Sequence, residues 1–183
     1  MPNGEINPYE PPKDVSAQKK FERFSNDIRD AMKLANREAK RRFAKSIESL
    51  HLMTAIAEEP TGLGGALLRH YGITSGLIRN QSRHLWVGSE WFTIWGKLPL
   101  SANTKRSVDF AVNLAVAENH DSVGTGGVLL AMLTVDETTT DLIRALGIDF
   151  CRFKKDLERY LYRLMVESPG QELRLDPLDS TDE

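Results

Sequence analysis

The sequence predicts an all-α protein of eight helices, built as two four-helix repeats related by a pseudo-twofold axis. Two observations predict it. The first is an internal duplication: residues 25–58 and 101–134 carry one pattern at an offset of 76. Ser25 matches Ser101, Ala35 matches Ala111 and Ala39 matches Ala115. Ser46-Ile47 matches Ser122-Val123, and Leu52-Met53-Thr54-Ala55-Ile56 matches Val128-Leu129-Leu130-Ala131-Met132. After one deleted residue the offset becomes 75; Leu67-Leu68-Arg69 then matches Leu142-Ile143-Arg144, and Tyr71-Gly72-Ile73 matches Leu146-Gly147-Ile148. The second is the three- and four-residue spacing of apolar side chains within each copy, the signature of a one-sided helix. A copy of about 60 residues lies near the lower limit for a core of its own, so the two are expected to pack as one composite domain.

The elements follow in order. Residues 1–20 hold Pro2, Pro8, Pro11 and Pro12 among polar neighbours and read as a disordered tail. Repeat one spans 21–79. Its first helix carries Ile28, Met32, Ala35, Ala39 and Phe43 on one face, with Ser25 as N-cap. The second helix, expected to be capped by Ser49, runs through 50–57 and is apolar nearly all round, which marks a central, buried helix. Residues 62–65 read as a flexible glycine turn, and 66–71 as a short third helix closed by Gly72. Repeat two spans 100–166 and restates this, with Ser101 and Thr125 as caps and Gly147 as the closing glycine. Its fourth helix carries Phe150, Phe153, Leu157, Tyr160, Leu161 and Leu164. Residues 167–183 form an acidic tail, six acids against Arg174, read as disordered.

The linker, 80–99, departs from the pattern. It holds Trp86, Trp91, Phe92 and Trp95, and so every tryptophan of the chain. Two readings stand: these aromatics plug the seam between the copies, or they form an exposed patch for a partner, as tryptophan does at interface hot spots.

Composition and motifs exclude more than they select. A net charge of −2 makes no global case for nucleic acid or an anionic membrane. No stretch reaches 18 apolar residues, and no leader pattern opens the chain, so the default expectation is a cytoplasmic location. Cys151 permits no internal disulfide and reads as a partly buried small hydrophobe. The histidines, His51, His70, His84 and His120, show no metal-ligand spacing, and His51 reads as a core histidine. With no phosphate-binding Gly-rich motif, no G-x-S-x-G and no singled-out carboxylate pair, neither a cofactor nor catalysis is expected. Lys40, Arg41, Arg42 and Lys45 end the first helix, where cations complement the dipole. The alternative is a patch for nucleic acid or an acidic partner, disfavoured for nucleic acid because no aromatics or motif interleave.

Phe24-Ser25, the run 47–56 and the run 67–73, with Leu100-Ser101, Val123-Gly124-Thr125 through Leu133, and Leu146-Gly147-Ile148-Asp149, give the chain a resemblance to a known family. Over residues 21–166 it resembles the Clp N-terminal domain, the double repeat at the front of Clp-type AAA+ chaperones. The resemblance implies a non-catalytic pseudo-twofold domain that docks adaptors and substrate proteins for an ATP-driven chaperone or protease. Without ATPase modules the chain reads as free-standing; a piece of a longer chaperone is the alternative. In some members of the family a glutamate of each repeat pairs with phosphorylated arginine. Those glutamates are replaced here by Leu50 and Gly126, and the adjacent histidine survives only as His51. The hydroxyls of Ser25 and Ser101 are retained. Charge-assisted pairing with a guanidinium is therefore not expected, and a protein partner is expected to be read by apolar contact.

Overall fold

The computed structural model describes residues 21–83 and 97–166. The expected tails and the aromatic linker, with Trp86, Trp91, Phe92 and Trp95, lie outside the described residues. Eight helices are found among those described. Repeat one contains α1 (Asn26–Arg41), α2 (Ser49–Glu58), α3 (Leu63–His70) and α4 (Ser75–Gln81). Repeat two contains α5 (Ala102–Ala117), α6 (Thr125–Val135), α7 (Glu137–Ala145) and α8 (Phe150–Val166).

The two near-uniformly apolar helices are the centre. Every residue of α2 from Ser49 to Ala57 is buried. In α6 the buried set includes Val128, Leu129, Ala131, Met132 and Leu133. Complete burial of Leu52, Met53 and Ile56 stabilises the fold by about 1.5–3 kcal/mol per side chain. Helix α1 lies on α2, and α5 lies on α6. Ala31, Ala35 and Ala39 recur every fourth residue with no exposed surface, so the buried face of α1 ends at methyl groups and the next helix can approach closely.

The repeats are interleaved. Phe24 pairs as a parallel bridge with Val123, and Leu100 pairs in the same way with Ile47. The offset of 76 takes one bridge onto the other, which is the pseudo-twofold axis expressed in backbone hydrogen bonds. Ser25 N donates to Val123 O and Val123 N to Arg23 O; Ser101 N donates to Ile47 O and Ile47 N to Pro99 O. Across the seam, Gly64 N donates to Thr125 Oγ1 at 3.1 Å. A Cβ on Gly64 would stand 2.7 Å from the Thr125 carbonyl oxygen, so this contact requires glycine.

Helix ends repeat as well. Gly72 and Gly147 have φ of 70° and 75°, and each closes its third helix: the glycine N–H donates to the carbonyl three residues back, and the N–H of the next residue to the carbonyl five back from itself. The first helices end with the same bonds, but at Phe43 (φ 53°) and Asn119 (φ 58°).

Several local expectations are corrected. Phe43 is no member of the α1 face: it lies past the helix end and is exposed. Ser49 and Thr125 are the first residues of their helices, and the caps are Glu48 and Gly124. Ser25 does occupy an N-cap position, but its hydroxyl caps no amide of α1. Residues 62–65 are no flexible turn: Gly62 caps α3, and Gly64 and Gly65 form its first turn. Cys151 is exposed. The apolar period placed it near the buried face, but α8 buries Phe153, Leu157 and Tyr160 and leaves Cys151 to the side. Ser101 caps α5 as expected, accepting from Thr104 N.

Candidate functional site

The two cross-repeat bridges place the sequence-predicted residues in two related corners. At one, the Ser25 hydroxyl donates to the Val123 carbonyl at 2.9 Å and lies against the Asp27 carboxylate. The second Asp27 oxygen accepts from Thr125 N at 2.8 Å, so a repeat-one side chain caps a repeat-two helix next to Gly126. At the other corner, the Ser101 and Thr104 hydroxyls lie 2.9 Å apart, and Thr104 lies 3.3 Å from the Ser49 hydroxyl, beside Leu50.

The corners are alike in backbone and opposite in volume. Offset 76 carries Leu50 to Gly126, His51 to Gly127, Glu38 to Leu114 and Arg42 to Glu118. In repeat one this region is filled. Leu50 is buried and His51 has no exposed surface. His51 Nδ1 accepts from Glu48 N at 2.9 Å, which satisfies the start of α2. Burial pushes its pKa down to about 4; the Glu38 charge opposes that and the Arg42 charge adds to it. The ring is therefore neutral at ordinary pH.

Beside it, Glu38 is 4% exposed and receives a two-pronged bond from Arg79, Nε to Oε1 and Nη2 to Oε2, both 2.9 Å. Arg42 adds a bond at 3.3 Å, and Arg79 also reaches Glu58 at 2.5 Å. Burial alone would push the Glu38 carboxyl up, but Arg79 and Arg42 together hold it below the usual carboxylate range. The same bonds raise Arg79 further above its ordinary value. This cluster ties α1, α2 and α4 together.

In repeat two the corresponding region is open. A groove of about 1060 Å³ lies between α5, α6 and α8, reaching the seam at Asp27 and Leu63. Leu114, Leu130 and Leu161 give it apolar walls, and Glu118, Asp121 and Glu158 stand around it. A Cβ on Gly126 would stand 2.9 Å from Leu63 and 3.1 Å from Leu161, whereas one on Gly127 would meet only Val123, at 3.7 Å. Gly126 thus lets neighbouring side chains close in, and Gly127 leaves space.

The basic run 40–45 is only partly free. Arg42 pairs with Glu38, and Arg41 lies 3.9 Å from the same carboxylate. Lys40 is half-buried and Lys45 exposed. Among the described residues, no three His, Cys, Asp or Glu gather as a metal site. Nor is any described helix long and apolar enough to cross a membrane.

Sequence reasoning singled out Leu50 and Gly126 as lost carboxylates and His51 as a surviving core histidine, and missed their volumes. The Gly126-Gly127 pair opposite Leu50-His51 was the available signal. It also missed Glu118, Asp121 and Glu158: the first two are neighbours in sequence, but Glu158 lies far along the chain and joins them only through the packing of α8 on α6.

The family model described as the Clp repeat (R) N-terminal domain matches residues 23–86 and 99–178. A probable ATP-dependent Clp protease ATP-binding subunit of Chlamydia pneumoniae is 25% identical over 150 residues, which are 81% of this chain and 18% of that relative. The chain thus spans about a fifth of the length of the curated relatives it matches. Among solved structures, the N-terminal domain of the chaperone ClpD from Arabidopsis thaliana superposes with a TM-score of 0.65 at 21% identity, covering 78% of this chain and 96% of that one. A complex of the ClpV N-domain with a VipB peptide gives 0.62 at 16%, covering 88% and 98%.

Proposed function

The chain belongs to the Clp repeat N-terminal domain family, and from that membership we propose that it is a non-catalytic docking module whose α5–α6–α8 groove takes a peptide segment of an adaptor, a substrate or a Clp-type AAA+ subunit. The observation that carries this reading is the volume asymmetry between pseudo-equivalent corners: Leu50 and His51 fill one, while Gly127 leaves the other open beside Gly126, over which Leu63 and Leu161 close. Apolar walls with the carboxylates of Glu118, Asp121 and Glu158 around them, and Asp27 at the seam, favour a segment that is apolar and basic. Solution of a related N-domain with a peptide bound supports the class of ligand. The alternative, an acidic partner or nucleic acid at 40–45, draws less support because Arg41 and Arg42 are directed onto Glu38.

The test is fluorescence anisotropy with a panel of labelled peptides, basic–apolar against acidic–apolar, on the protein and on Gly127→Leu. Basic–apolar peptides are expected to bind, weaken in salt, and lose roughly tenfold or more in affinity when the leucine fills the groove. Equal binding to Gly127→Leu, or no preference for basic peptides, overturns the reading. Co-purification of Clp subunits with the wild type but not with Gly127→Leu would identify the partner class.

A further inference from the structure

A second groove has the opposite chemistry. It runs between α1 and residues 97–100, with a volume of about 850 Å³. Ile47 and Leu98 form its buried floor, and Met32 is half-buried above them. Arg29 and Arg37 stand eight residues apart on one face of α1, with Lys33 between them, and Lys97 faces them from the other edge. Lys33 is held by Asp30 at 2.6 Å. Among the described residues Arg37 and Lys97 enter no ion pair, and Arg29 donates only to the Glu22 carbonyl. An apolar trough edged by three cations that no carboxylate of the described residues pairs calls for an apolar, acidic occupant.

The chain carries one such segment. Residues 1–20 have three acids and three bases, and 84–96 carry one acid and no Lys or Arg. Residues 167–183 have six acids and one base, a net −5 within a chain of net −2. Inside it, Leu173, Leu175 and Leu178 are interspersed with Glu172, Asp176 and Asp179. Leu173 and Leu175, two apart, share one side of an extended strand, and Pro177 favours extended over helical backbone. At roughly 3.3 Å per residue, Leu178 can stand about 40 Å beyond Val166, comparable to the diameter of a domain this size. We infer that residues 172–179 dock in this groove of their own chain, leucines on the Ile47–Leu98 floor and carboxylates against Arg29, Arg37 and Lys97. The groove is then closed to acidic partners until the segment is displaced. This goes beyond the docking function above and concerns a different groove, so either can fail alone.

The test uses the full chain. Zero-length carbodiimide coupling followed by peptide mapping is expected to join Lys97 or Lys33 to Glu172, Asp176 or Asp179. Yield is expected to fall in high salt and in the triple variant Leu173→Ser, Leu175→Ser, Leu178→Ser, whose folding is checked by far-UV circular dichroism. A labelled peptide of residues 168–183 is expected to bind the triple variant roughly tenfold or more tighter than the wild type, because a tethered segment competes at high effective concentration. Lys97→Glu in the triple background is expected to lose that binding. Absence of these cross-links, or equal peptide binding by wild type and variant, overturns the proposal. Cross-links formed only between isotopically distinct chains in a mixture also overturn it, because the occupant is then a second copy.

Discussion

Replacing Arg79 by leucine should expose how much of repeat one depends on a buried charge. Glu38 is 4% exposed and takes two bonds from Arg79 and one, longer, from Arg42. Removing one partner of a buried pair costs about 3–5 kcal/mol, because the remaining charge has lost its solvent and its compensation. Arg42 remains at 3.3 Å, so the lower end, about 3 kcal/mol, is expected for Arg79→Leu. The freed Glu58 adds little, since a partly exposed pair is worth about 0–1 kcal/mol. Glu38→Leu, which installs the residue found at the repeat-two position Leu114, should cost less, because Arg79 is partly exposed and keeps Glu58. The double variant should be more stable than Arg79→Leu alone by roughly 2 kcal/mol, since no orphaned carboxylate is left. Urea unfolding followed by far-UV circular dichroism measures all four corners of this cycle. A loss under about 1 kcal/mol for Arg79→Leu, or additive effects in the double variant, would refute the reasoning.

Three further outcomes follow from the same structure. His51 titrates near 6.5 unfolded and near 4 folded, so its contribution is complete above about pH 6.5 and is lost as pH falls towards 4, by about 3 kcal/mol; His51→Gln should flatten that part of the stability–pH curve, and an unchanged curve counts against it. Phe43→Gly should raise stability by about 1 kcal/mol, because a bulky residue at φ 53° is replaced by one without that penalty, and the lost side chain is half exposed; a lower urea midpoint would contradict this. Gly64→Ala should destabilise by about 2 kcal/mol, its Cβ meeting the Thr125 backbone, whereas Gly127→Ala should be neutral or stabilising by about 0.5 kcal/mol. Equal effects at the two glycines would mean that the seam yields where it is drawn as rigid.

The duplication was legible because it is written in residue classes that packing demands: alanines where α1 meets α2, an apolar second helix, glycine at positive φ after the third. Phe43 was misread because it continues the apolar period of α1 by one step, and periodicity does not register that the helix has already turned back on itself at Arg42. Residues 62–65 were misread because three glycines look like freedom in sequence; in the fold Gly64 and Gly65 are demanded by backbone neighbours within 3 Å, one of them from the other repeat. The site was half legible. Leu50 and Gly126 stood out as departures in charge, but only three-dimensional neighbours reveal that Leu50 fills its own corner, that Leu63 and Leu161 close over Gly126, and that the open space lies at Gly127. The stripe Arg29, Lys33, Arg37 was present at helical spacing and passed over, because its meaning comes from Lys97, sixty residues away in sequence.

The crossed bridges have a consequence for how such a molecule can vary. Each repeat lends the residue before its first helix to the other, so a single repeat alone would leave both exchange partners empty and would be completed by a second copy of itself. In that two-chain form the rotation axis would be true, and a substitution at one corner would appear at the other. Filling one groove and hollowing its twin is open only to a chain that encodes both halves. Joining the halves gave up symmetry in return for two surfaces that can be specified one at a time.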